Sequence, residues 1–290
     1  MTHRKTFALQ LRSGSLHLGE RTLLMGVLNV TPDSFSDGGD FFDAKRAVEH
    51  ALAMKRDGAD IIDIGAESTR PGSNKIPAAE ELRRLLPVLQ ALRGKLKIPI
   101  SVDTRKSKVA EIAIGAGADI INDISGLRHD PELARVAAKH GAALVLMHMR
   151  GTPRTMQKGP FARAVIKDVV GGLQQSIAIA KKFDVPRAQV VIDPGIGFGK
   201  TYTQNYELLA KLSEVAKLGY PLLVGTSRKG FLGATLARKG KPALVEDRLF
   251  ATAATVAASI LNGAHIVRVH DVKEMKEVAI VADMIASEPW

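Results

Sequence analysis

The sequence predicts a (β/α)8 barrel, and three features of this 290-residue chain point to that fold. Short continuous apolar runs, typical of strands buried on both faces, alternate with stretches that carry apolar residues at helical spacing. The alternation repeats eight times, and about 250 residues is typical of eight such units closed into a barrel. A doubly wound open sheet would usually show a Gly-rich dinucleotide turn after its first strand, where this chain has Asn29-Val30-Thr31-Pro32.

The predicted elements follow in chain order. An N-terminal β-hairpin, Phe7–Leu11 and Ser15–Leu18 joined at Ser13-Gly14, is expected to close the barrel floor. The eight barrel strands are predicted at Leu23–Leu28, Asp60–Ile64, Ile98–Val102, Asp119–Ile121, Ala143–Met147, Val190–Ile192, Pro221–Val224 and His265–Val269. The clearest helices are Ala44–Arg56, Ala79–Leu92 and Asn205–Leu218. No linker interrupts the pattern, so residues 1–290 are predicted to form a single domain.

The composition excludes several classes of protein. The chain has no cysteine, which rules out disulfides and thiolate chemistry. No apolar run approaches the roughly 18 residues that a membrane-spanning helix needs. The basic N-terminus leads into an alternating segment that is too short for a signal peptide. We therefore expect a cytoplasmic protein that does not contact a membrane.

The formal net charge of +11 favours anionic partners. Solvated helix faces explain most of the basic residues, except the cluster that follows residue 227. The chain has one Trp and three Tyr and carries no nucleic-acid recognition motif. We therefore expect small-molecule substrates and no nucleic acid, with a basic RNA-binding or scaffold protein as the non-enzymatic alternative.

One predicted helix lacks the polar face that an outer helix of a monomeric barrel should have. Residues 249–261 are apolar nearly all round, and many of them are small. Small apolar residues on an outer helix suggest close packing against a second subunit. The sequence therefore predicts a homodimer.

Polar side chains stand at the predicted end of every barrel strand, where barrels of this type carry their active sites. Charge that converges on one rim needs a ligand or careful pairing to offset its desolvation. The groups are Asn29, Asp63 with residues 67–70, Asp103 with Thr104 and Arg105, Asn122 with Asp123, His148, Asp193, residues 227–229, and Arg268 with His270 and Asp271.

The set contains two kinds of chemistry. Asp103, Asn122 and Asp193 supply carboxylates and an amide that can bind the N–H groups of a flat polar heterocycle. A second group supplies cations and an imidazole that suit an anion, namely Lys229, Arg268 and His270. The sequence shows no Cys/His metal cluster and no convincing Ser-His-Asp spacing. A carboxylate pair for glycoside chemistry is possible but not specified.

Two glycine-containing loops follow predicted strands. The loop after the first strand, Asn29–Gly39, carries Asp33, Phe35 and Asp37, and so polar and costly a loop is more often functional than structural. Residues 193–201 end in Gly-Lys-Thr like a phosphate-binding loop. However, Pro194 occupies the first glycine position and lacks the N–H that such a loop offers. ATP binding is therefore disfavoured there.

Eight sequence blocks at these strand ends resemble the signature blocks of the dihydropteroate synthase family, in that family's order and over essentially the whole chain. The blocks are residues 29–39, 63–72, 101–104, 121–124, 147–148, 193–200, 226–229 and 268–271. The resemblance implies a (β/α)8 barrel that joins 6-hydroxymethyl-7,8-dihydropterin diphosphate to 4-aminobenzoate and releases pyrophosphate. That reaction is a folate-pathway step and the target of sulfonamides.

The resemblance also implies residue roles around the pterin. Asp193 would face the donor edge of the ring, Asp103 and Asn122 would complete the hydrogen bonds, and Lys229 would bond the oxo side. Arg268 would stack on the ring. The residues implied to act directly in catalysis are Asp103, Lys229, Arg268 and His270.

The remaining implied roles concern the diphosphate, the metal and the second substrate. Arg268, His270 and Asn29 would hold the diphosphate, with Mg²⁺ near Asn29. Thr31–Gly39 would be a lid, with Phe35 closing over the aminobenzoate. The residues implied to border the aminobenzoate are Thr69, Arg70 and Ser227. Homodimers are usual in the family, in agreement with the apolar helix.

A pterin-dependent methyltransferase barrel is the closest enzymatic alternative. It would share the carboxylates and the amide that meet the pterin edge. It offers no reason for Lys229, Arg268 and His270 around a diphosphate, or for two long first loops.

Overall fold

The computed structural model describes residues 4–31, 39–70 and 72–287, and a closed sheet of eight parallel strands stands at its centre. The strands are β3 (Leu23–Asn29), β4 (Ile61–Gly65), β5 (Ile100–Asp103), β6 (Ile120–Asp123), β7 (Ala143–Met147), β8 (Val190–Asp193), β9 (Leu223–Val224) and β10 (Ile266–Val269). Strand β10 pairs with both β3 and β9. A parallel bridge between Ile192 and Leu222 joins β8 to the residue before β9 and closes the barrel.

Helices connect the strands and cover the outside of the barrel. They are α1 (Gly39–Arg56), α2 (Ala78–Leu92), α3 (Ser107–Gly115), α4 (Glu132–His140), α5 (Val165–Lys182), α6 (Tyr202–Ala210), α7 (Leu212–Ala216), α8 (Gly230–Thr235), α9 (Leu249–Leu261) and α10 (Val272–Ser287). In the described parts of the chain, no helix is both long and apolar enough to span a bilayer. The predicted (β/α)8 barrel is confirmed.

The predicted N-terminal hairpin is also confirmed. Strands β1 (Phe7–Leu11) and β2 (Gly14–Leu18) pair in antiparallel fashion. Leu11 pairs with Gly14, so the two-residue turn is Arg12-Ser13, one residue earlier than predicted. Leu9, Leu11 and Leu18 are buried in one cluster with barrel residues such as Leu23 and Ile266. The apolar face of the hairpin therefore plugs the amino-terminal end of the barrel.

Successive residues of each strand face alternately into the barrel and out toward the helices. Met25 and Ile61 lie in the interior cluster with the hairpin. Their neighbours Leu24 and Ile62 lie in the larger cluster that packs against the helices. Apolar side chains thus fill the lower part of the interior, and polar side chains are left for its carboxyl-terminal end.

The predicted helix Asn205–Leu218 is wrong in two respects, the first of which is that the structure divides it into α6 and α7. Lys211 separates them with φ −110° and ψ 26°, outside helical geometry. No glycine or proline marks the break in the sequence. The start is also earlier than predicted, because Thr201 and Gln204 form a reciprocal capping box that begins α6 at Tyr202.

Candidate active site

The alternation along the strands sends the predicted polar residues into the barrel mouth. Asp63 stands two positions after the interior residue Ile61, and Arg268 stands two positions after the interior residue Ile266. Parallel strands end at one rim, so these side chains converge there. The inward-facing polar residues at the ends of these strands include Asn29, Asp63, Asp103, Asn122, Asp193 and Arg268.

Asp63 is the centre of a buried hydrogen-bond network at this rim. Its Oδ2 atom accepts from Arg268 Nε at 2.7 Å and from Asn122 Nδ2 at 3.0 Å. The same guanidinium donates from Nη2 to Asp103 Oδ2 at 3.1 Å. Arg268 therefore bridges two carboxylates, which holds Asp103 and Asn122 on one side of the mouth.

Burial and the charges of neighbouring groups together set the protonation of this network. Burial raises the pKa of Asp103, even though Arg268 lowers it, and the neighbouring Asp63 raises it further. Burial alone would lower the pKa of Arg268, but Asp63 and Asp103 more than offset that effect and raise it. The cation is therefore permanent, while Asp103 holds its charge less firmly than an ordinary carboxylate.

Asp193 ends β8 and faces the same space. Its Oδ1 atom accepts the backbone N–H of Gly195 at 2.7 Å, and its carbonyl accepts the N–H of His148 at 2.9 Å. Burial raises the pKa of Asp193 to about 6, although the Gly195 N–H and the cations Lys229, Lys200 and Arg268 lower it. The side chain is therefore mostly ionised at pH 7 and can accept hydrogen bonds, but its pKa lies only about one unit below that pH.

Lys229 faces Asp193 from the loop after β9. Its Nζ atom lies 4.0 Å from the centroid of the Phe198 ring, within the range of a cation–π contact. Burial and the nearby Arg268 lower the pKa of Lys229 to about 8, although Asp193 and Asp103 raise it. The lysine remains mostly charged at neutral pH and supplies a donor beside the carboxylates.

His270 is held by Ser227. Ser227 Oγ accepts the backbone N–H of His270 at 3.2 Å and lies 2.9 Å from its Nδ1 atom. A hydroxyl that donates to Nδ1 leaves the ring proton on Nε2, where it can be offered to an anion. Burial, followed by Arg268 and Arg228, lowers the pKa of His270 to about 3. His270 therefore contributes a neutral N–H donor.

Thr69 and Arg70 lie in the loop that joins β4 to α2. Thr69 is half-buried and Arg70 is exposed. In the parts of the chain that the structure describes, neither side chain hydrogen-bonds to the strand-end groups. The loop is fixed at other points, because Gly72 donates its N–H to Pro153 O at 3.0 Å.

Asn29 supplies the oxygen that could serve a metal ion. A Cβ added at Gly65 would lie 3.8 Å from Asn29 Oδ1 and 3.5 Å from Asp103 Cβ, so both residues flank this glycine. Within the described ranges, no cluster of three or more His, Cys, Asp or Glu side chains could hold a metal. An amide oxygen suits Mg²⁺ when phosphate and water supply most of the other ligands.

The sequence alone assigns no role to two residues near the rim. The sequence predicts Asp63 only as a strand-end carboxylate, and closure of the barrel places it between Asn122 and Arg268. The sequence pattern places Lys200 only in a phosphate-type loop that Pro194 disfavours. The sequence does indicate that Asp63 faces the barrel interior, since it stands two residues after the apolar Ile61.

The predicted lid lies mostly outside the described residues. Thr31 is described and half-buried. Phe35, Asp33 and Asp37 fall within residues 32–38 and are not described, so their proposed closing movement stays a prediction.

Comparison with known proteins identifies the family. Residues 25–270 match the family described as pterin binding enzyme. A dihydropteroate synthase from Synechocystis sp. is 47% identical over 271 residues, covering 92% of this chain and 91% of that protein. A Yersinia pestis dihydropteroate synthase solved with a sulfonamide drug complex has a TM-score of 0.88 at 40% identity, covering 97% of this chain and 100% of that chain. A Xanthomonas albilineans dihydropteroate synthase solved with 4-aminobenzoic acid also has a TM-score of 0.88, at 38% identity and the same coverage. This chain belongs to the dihydropteroate synthase family of pterin-binding enzymes.

Proposed function

We propose that this chain condenses 6-hydroxymethyl-7,8-dihydropterin diphosphate with 4-aminobenzoate to give 7,8-dihydropteroate and pyrophosphate in folate biosynthesis. The observation that carries the proposal is the mouth of the barrel, where Asp193, Asp103 and Asn122 meet Lys229 and Arg268. A single mouth thus offers acceptors for a heterocycle with several N–H groups and cations for a diphosphate. The family membership supports the same reaction.

The pterin ring binds through its polar edges. The Asp193 carboxylate accepts from the donor edge, while Asp103 and the Asn122 amide complete the hydrogen bonds. Lys229 donates to the oxo group on the opposite edge. The Asp63 carboxylate supports this arrangement without touching the pterin, because it fixes the Asn122 amide at 3.0 Å.

The diphosphate binds at the end of the mouth that carries Arg268, His270 and Asn29. Arg268 supplies a permanent charge, and His270 supplies an N–H oriented by Ser227. Asn29 is the protein ligand that would hold Mg²⁺ there. When bound, the ion would neutralise charge on the departing diphosphate. The metal and these residue roles are part of the proposal.

The reaction follows from this placement. The bond between the pterin methylene carbon and the diphosphate oxygen breaks, and pyrophosphate leaves with the bonding electrons. The electron-rich pterin and nearby carboxylates, Asp103 in particular, stabilise the positive charge on the methylene. The aniline nitrogen of aminobenzoate attacks that carbon and then loses a proton. An aniline nitrogen is already nucleophilic, so the site needs no strong general base.

The aminobenzoate enters from the side of Thr69, Arg70 and Ser227. Arg70 is exposed in the β4–α2 loop and is available to pair with the carboxylate of this substrate. Water must be excluded, because it would hydrolyse the cation. The Thr31–Gly39 loop is the proposed lid for this step.

The chain is proposed to work as a homodimer. On α10 the exposed apolar side chains Ile280, Val281, Met284 and Ile285 follow helical spacing along one face. Beside it, α9 exposes Phe250, which is 85% accessible. Exposed apolar side chains of this kind on outer helices are typical of a subunit interface. A cytoplasmic location remains a prediction.

Product analysis by mass spectrometry tests the proposed function. Purified protein with the pterin diphosphate, 4-aminobenzoate and Mg²⁺ should form 7,8-dihydropteroate, and omission of either substrate should abolish it. Failure to form this product with both substrates present would overturn the proposal. A methylated reduced pterin should give no methyl transfer, and transfer from it would support the methyltransferase alternative instead.

A further inference from the structure

Lys200 is one of the largest fully buried side chains of the described protein, and the proposed reaction does not use it. The residue follows the Gly-rich loop of residues 194–199 and is 2% exposed. A buried lysine is costly unless its ammonium group is fully hydrogen-bonded. Its surroundings therefore indicate what it does.

Backbone oxygens surround the ammonium group. Lys200 Nζ lies 2.9 Å from Gly195 O and 3.0 Å from Phe198 O, two carbonyls of the loop that precedes it. It also lies 3.1 Å from His148 Nδ1 and 3.4 Å from His148 O, at the end of β7. Burial lowers the pKa of Lys200 to about 7, although Asp193 and Asp168 raise it. The N–H groups of the amine can thus fasten the loop to the adjacent strand end.

The lone pair of His148 is available for this contact. Burial, followed by Lys200 and two arginines, lowers the pKa of His148 to about 2, so the imidazole is neutral. Its Nε2 atom faces Asp168 Oδ2 at 3.5 Å, which favours the tautomer with the proton on Nε2. Nδ1 then accepts from Lys200.

The fastened loop bears directly on the pterin pocket. Gly195, whose carbonyl accepts from Lys200, donates its N–H to Asp193 Oδ1 at 2.7 Å. A Cβ at Gly195 would lie only 1.9 Å from His148 O, so the loop has no room to shift toward β7. Phe198, the other loop partner of Lys200, carries the ring beneath Lys229 Nζ.

The same contacts exclude a phosphate-binding role for the Gly199-Lys200-Thr201 segment. A phosphate-binding lysine reaches across its loop toward the phosphates, whereas Lys200 Nζ is enclosed by carbonyls of its own loop. Its N–H groups are directed to atoms of the protein.

We propose that Lys200 is a positioning residue that folds the 194–199 loop so that Asp193 and Lys229 meet the two edges of the pterin. The inference rests on the proposed function, since it assigns the pterin to these two side chains. Lys200 acts through Gly195 and Phe198 and does not touch the substrate.

Titration calorimetry with 6-hydroxymethyl-7,8-dihydropterin tests the proposal. Lys200→Met removes every donor at similar volume and should weaken pterin binding by about tenfold or more. The KM for 4-aminobenzoate should change much less, because its proposed site lies on other loops. Lys200→Gln keeps two N–H groups on a shorter side chain and should fall between Lys200→Met and the wild type.

Thr201→Ala is the matched control. It removes the cap of α6 next to Lys200 and should lower the melting temperature by about 2–4 °C. Pterin affinity should be retained, which separates loss of position from loss of stability. If Lys200→Met or Lys200→Gln folds and binds the pterin with wild-type affinity, the proposal would be overturned.

A second anchor keeps the test valid if neither lysine variant folds. Asn205 Oδ1 accepts the N–H of Gly197, in the same loop, at 2.6 Å. Asn205→Leu should then weaken pterin binding relative to Asn205→Asp, and equal affinities would contradict the positioning role of the loop. Absence of pterin binding by the wild-type protein would instead overturn the proposed function, so the two failures are distinguishable.

Discussion

At the scale of single residues, Asp193 shows how burial tunes a binding group. Burial raises its pKa to about 6, so the carboxylate is ionised at pH 7 and protonated below about pH 6. Only the ionised form can accept two N–H groups from the pterin. Affinity should therefore be retained above the pKa and lost as the pH falls through it.

Pterin affinity is expected to be about tenfold weaker at pH 5 than at pH 7, because about one tenth of Asp193 would be ionised one unit below its pKa. Calorimetric titration across this range measures the effect. Asp193→Asn should bind weakly at every pH, since an amide turns one acceptor into a donor. Asp184→Asn, at an exposed position, should match the wild type. Constant wild-type affinity from pH 5 to pH 7 would contradict the assignment.

Arg268 has a structural role in addition to its proposed contact with diphosphate. Replacing it with Ala leaves Asp63 and Asp103 buried without their cation, which should cost about 3 kcal/mol of unfolding free energy at pH 7. Without the cation the pKa of Asp103 should rise further. The decrease in unfolding free energy should therefore be largest above the pKa of Asp103. It should become smaller as the pH falls and the carboxylate protonates.

Urea unfolding at pH 5 and pH 8 measures this difference. Arg135→Ala is the control, because its ion pair with Glu132 is exposed and should contribute no more than about 1 kcal/mol. If Arg268→Ala lowers the unfolding free energy no more than Arg135→Ala does, or by the same amount at both pH values, the pairing of Arg268 with Asp63 and Asp103 would be contradicted.

At the scale of elements, the β4–α2 loop is anchored by a buried ion network. Glu67 accepts from Arg105 Nη2 at 3.0 Å, from Lys106 Nζ at 3.1 Å and from the Ile76 N–H at 3.1 Å. Burial would raise the pKa of Glu67, but Arg105, Lys106 and the Ile76 N–H lower it overall. The anchor holds the segment that carries Thr69 and Arg70.

Glu67→Gln should release this loop while leaving the pterin pocket in place. We expect a KM for 4-aminobenzoate about tenfold higher with pterin affinity nearly unchanged, and an unfolding free energy lower by about 3 kcal/mol. Steady-state kinetics and urea unfolding measure the two effects. Glu80→Gln, a surface change at the start of α2, should leave the KM unaltered. Equal losses for pterin and aminobenzoate would contradict the loop assignment.

The elements also show what sequence patterns can and cannot predict. Period-2 alternation is enough to separate Asn122 from its neighbour Asp123. Asn122 faces the barrel, whereas Asp123 faces outward and accepts the N–H groups of Ser125 and Leu127. The break between α6 and α7 has no comparable signal, because Lys211 is neither Gly nor Pro. Tertiary packing decides such a boundary.

At the scale of the whole molecule, the order of strands was predictable, because strands that follow one another in the sequence are neighbours in a (β/α)8 barrel. The network among Asp63, Asn122, Asp103 and Arg268 was not, since it joins strands up to 205 positions apart in sequence. Closure of the barrel alone brings β4 and β10 to either side of β3. Local pattern therefore predicts which residues reach the rim, and topology decides which of them meet.

Light scattering at micromolar concentration tests the proposed homodimer. The wild type should show twice the 31.1 kDa chain mass. Met284→Lys places a charge on the exposed face of α10 and should shift the protein toward the monomer. Lys273→Glu, at an exposed polar position of the same helix, should not. A wild-type mass equal to one chain would contradict the dimer.

Pyrophosphate release tests the central claim most directly, because it reports the bond that the barrel mouth is proposed to break. Wild-type protein given the pterin diphosphate and Mg²⁺ should release pyrophosphate rapidly only when 4-aminobenzoate is added. Asp193→Asn should be severely impaired and Asp184→Asn should not. No release above background from the wild type with both substrates would contradict the account.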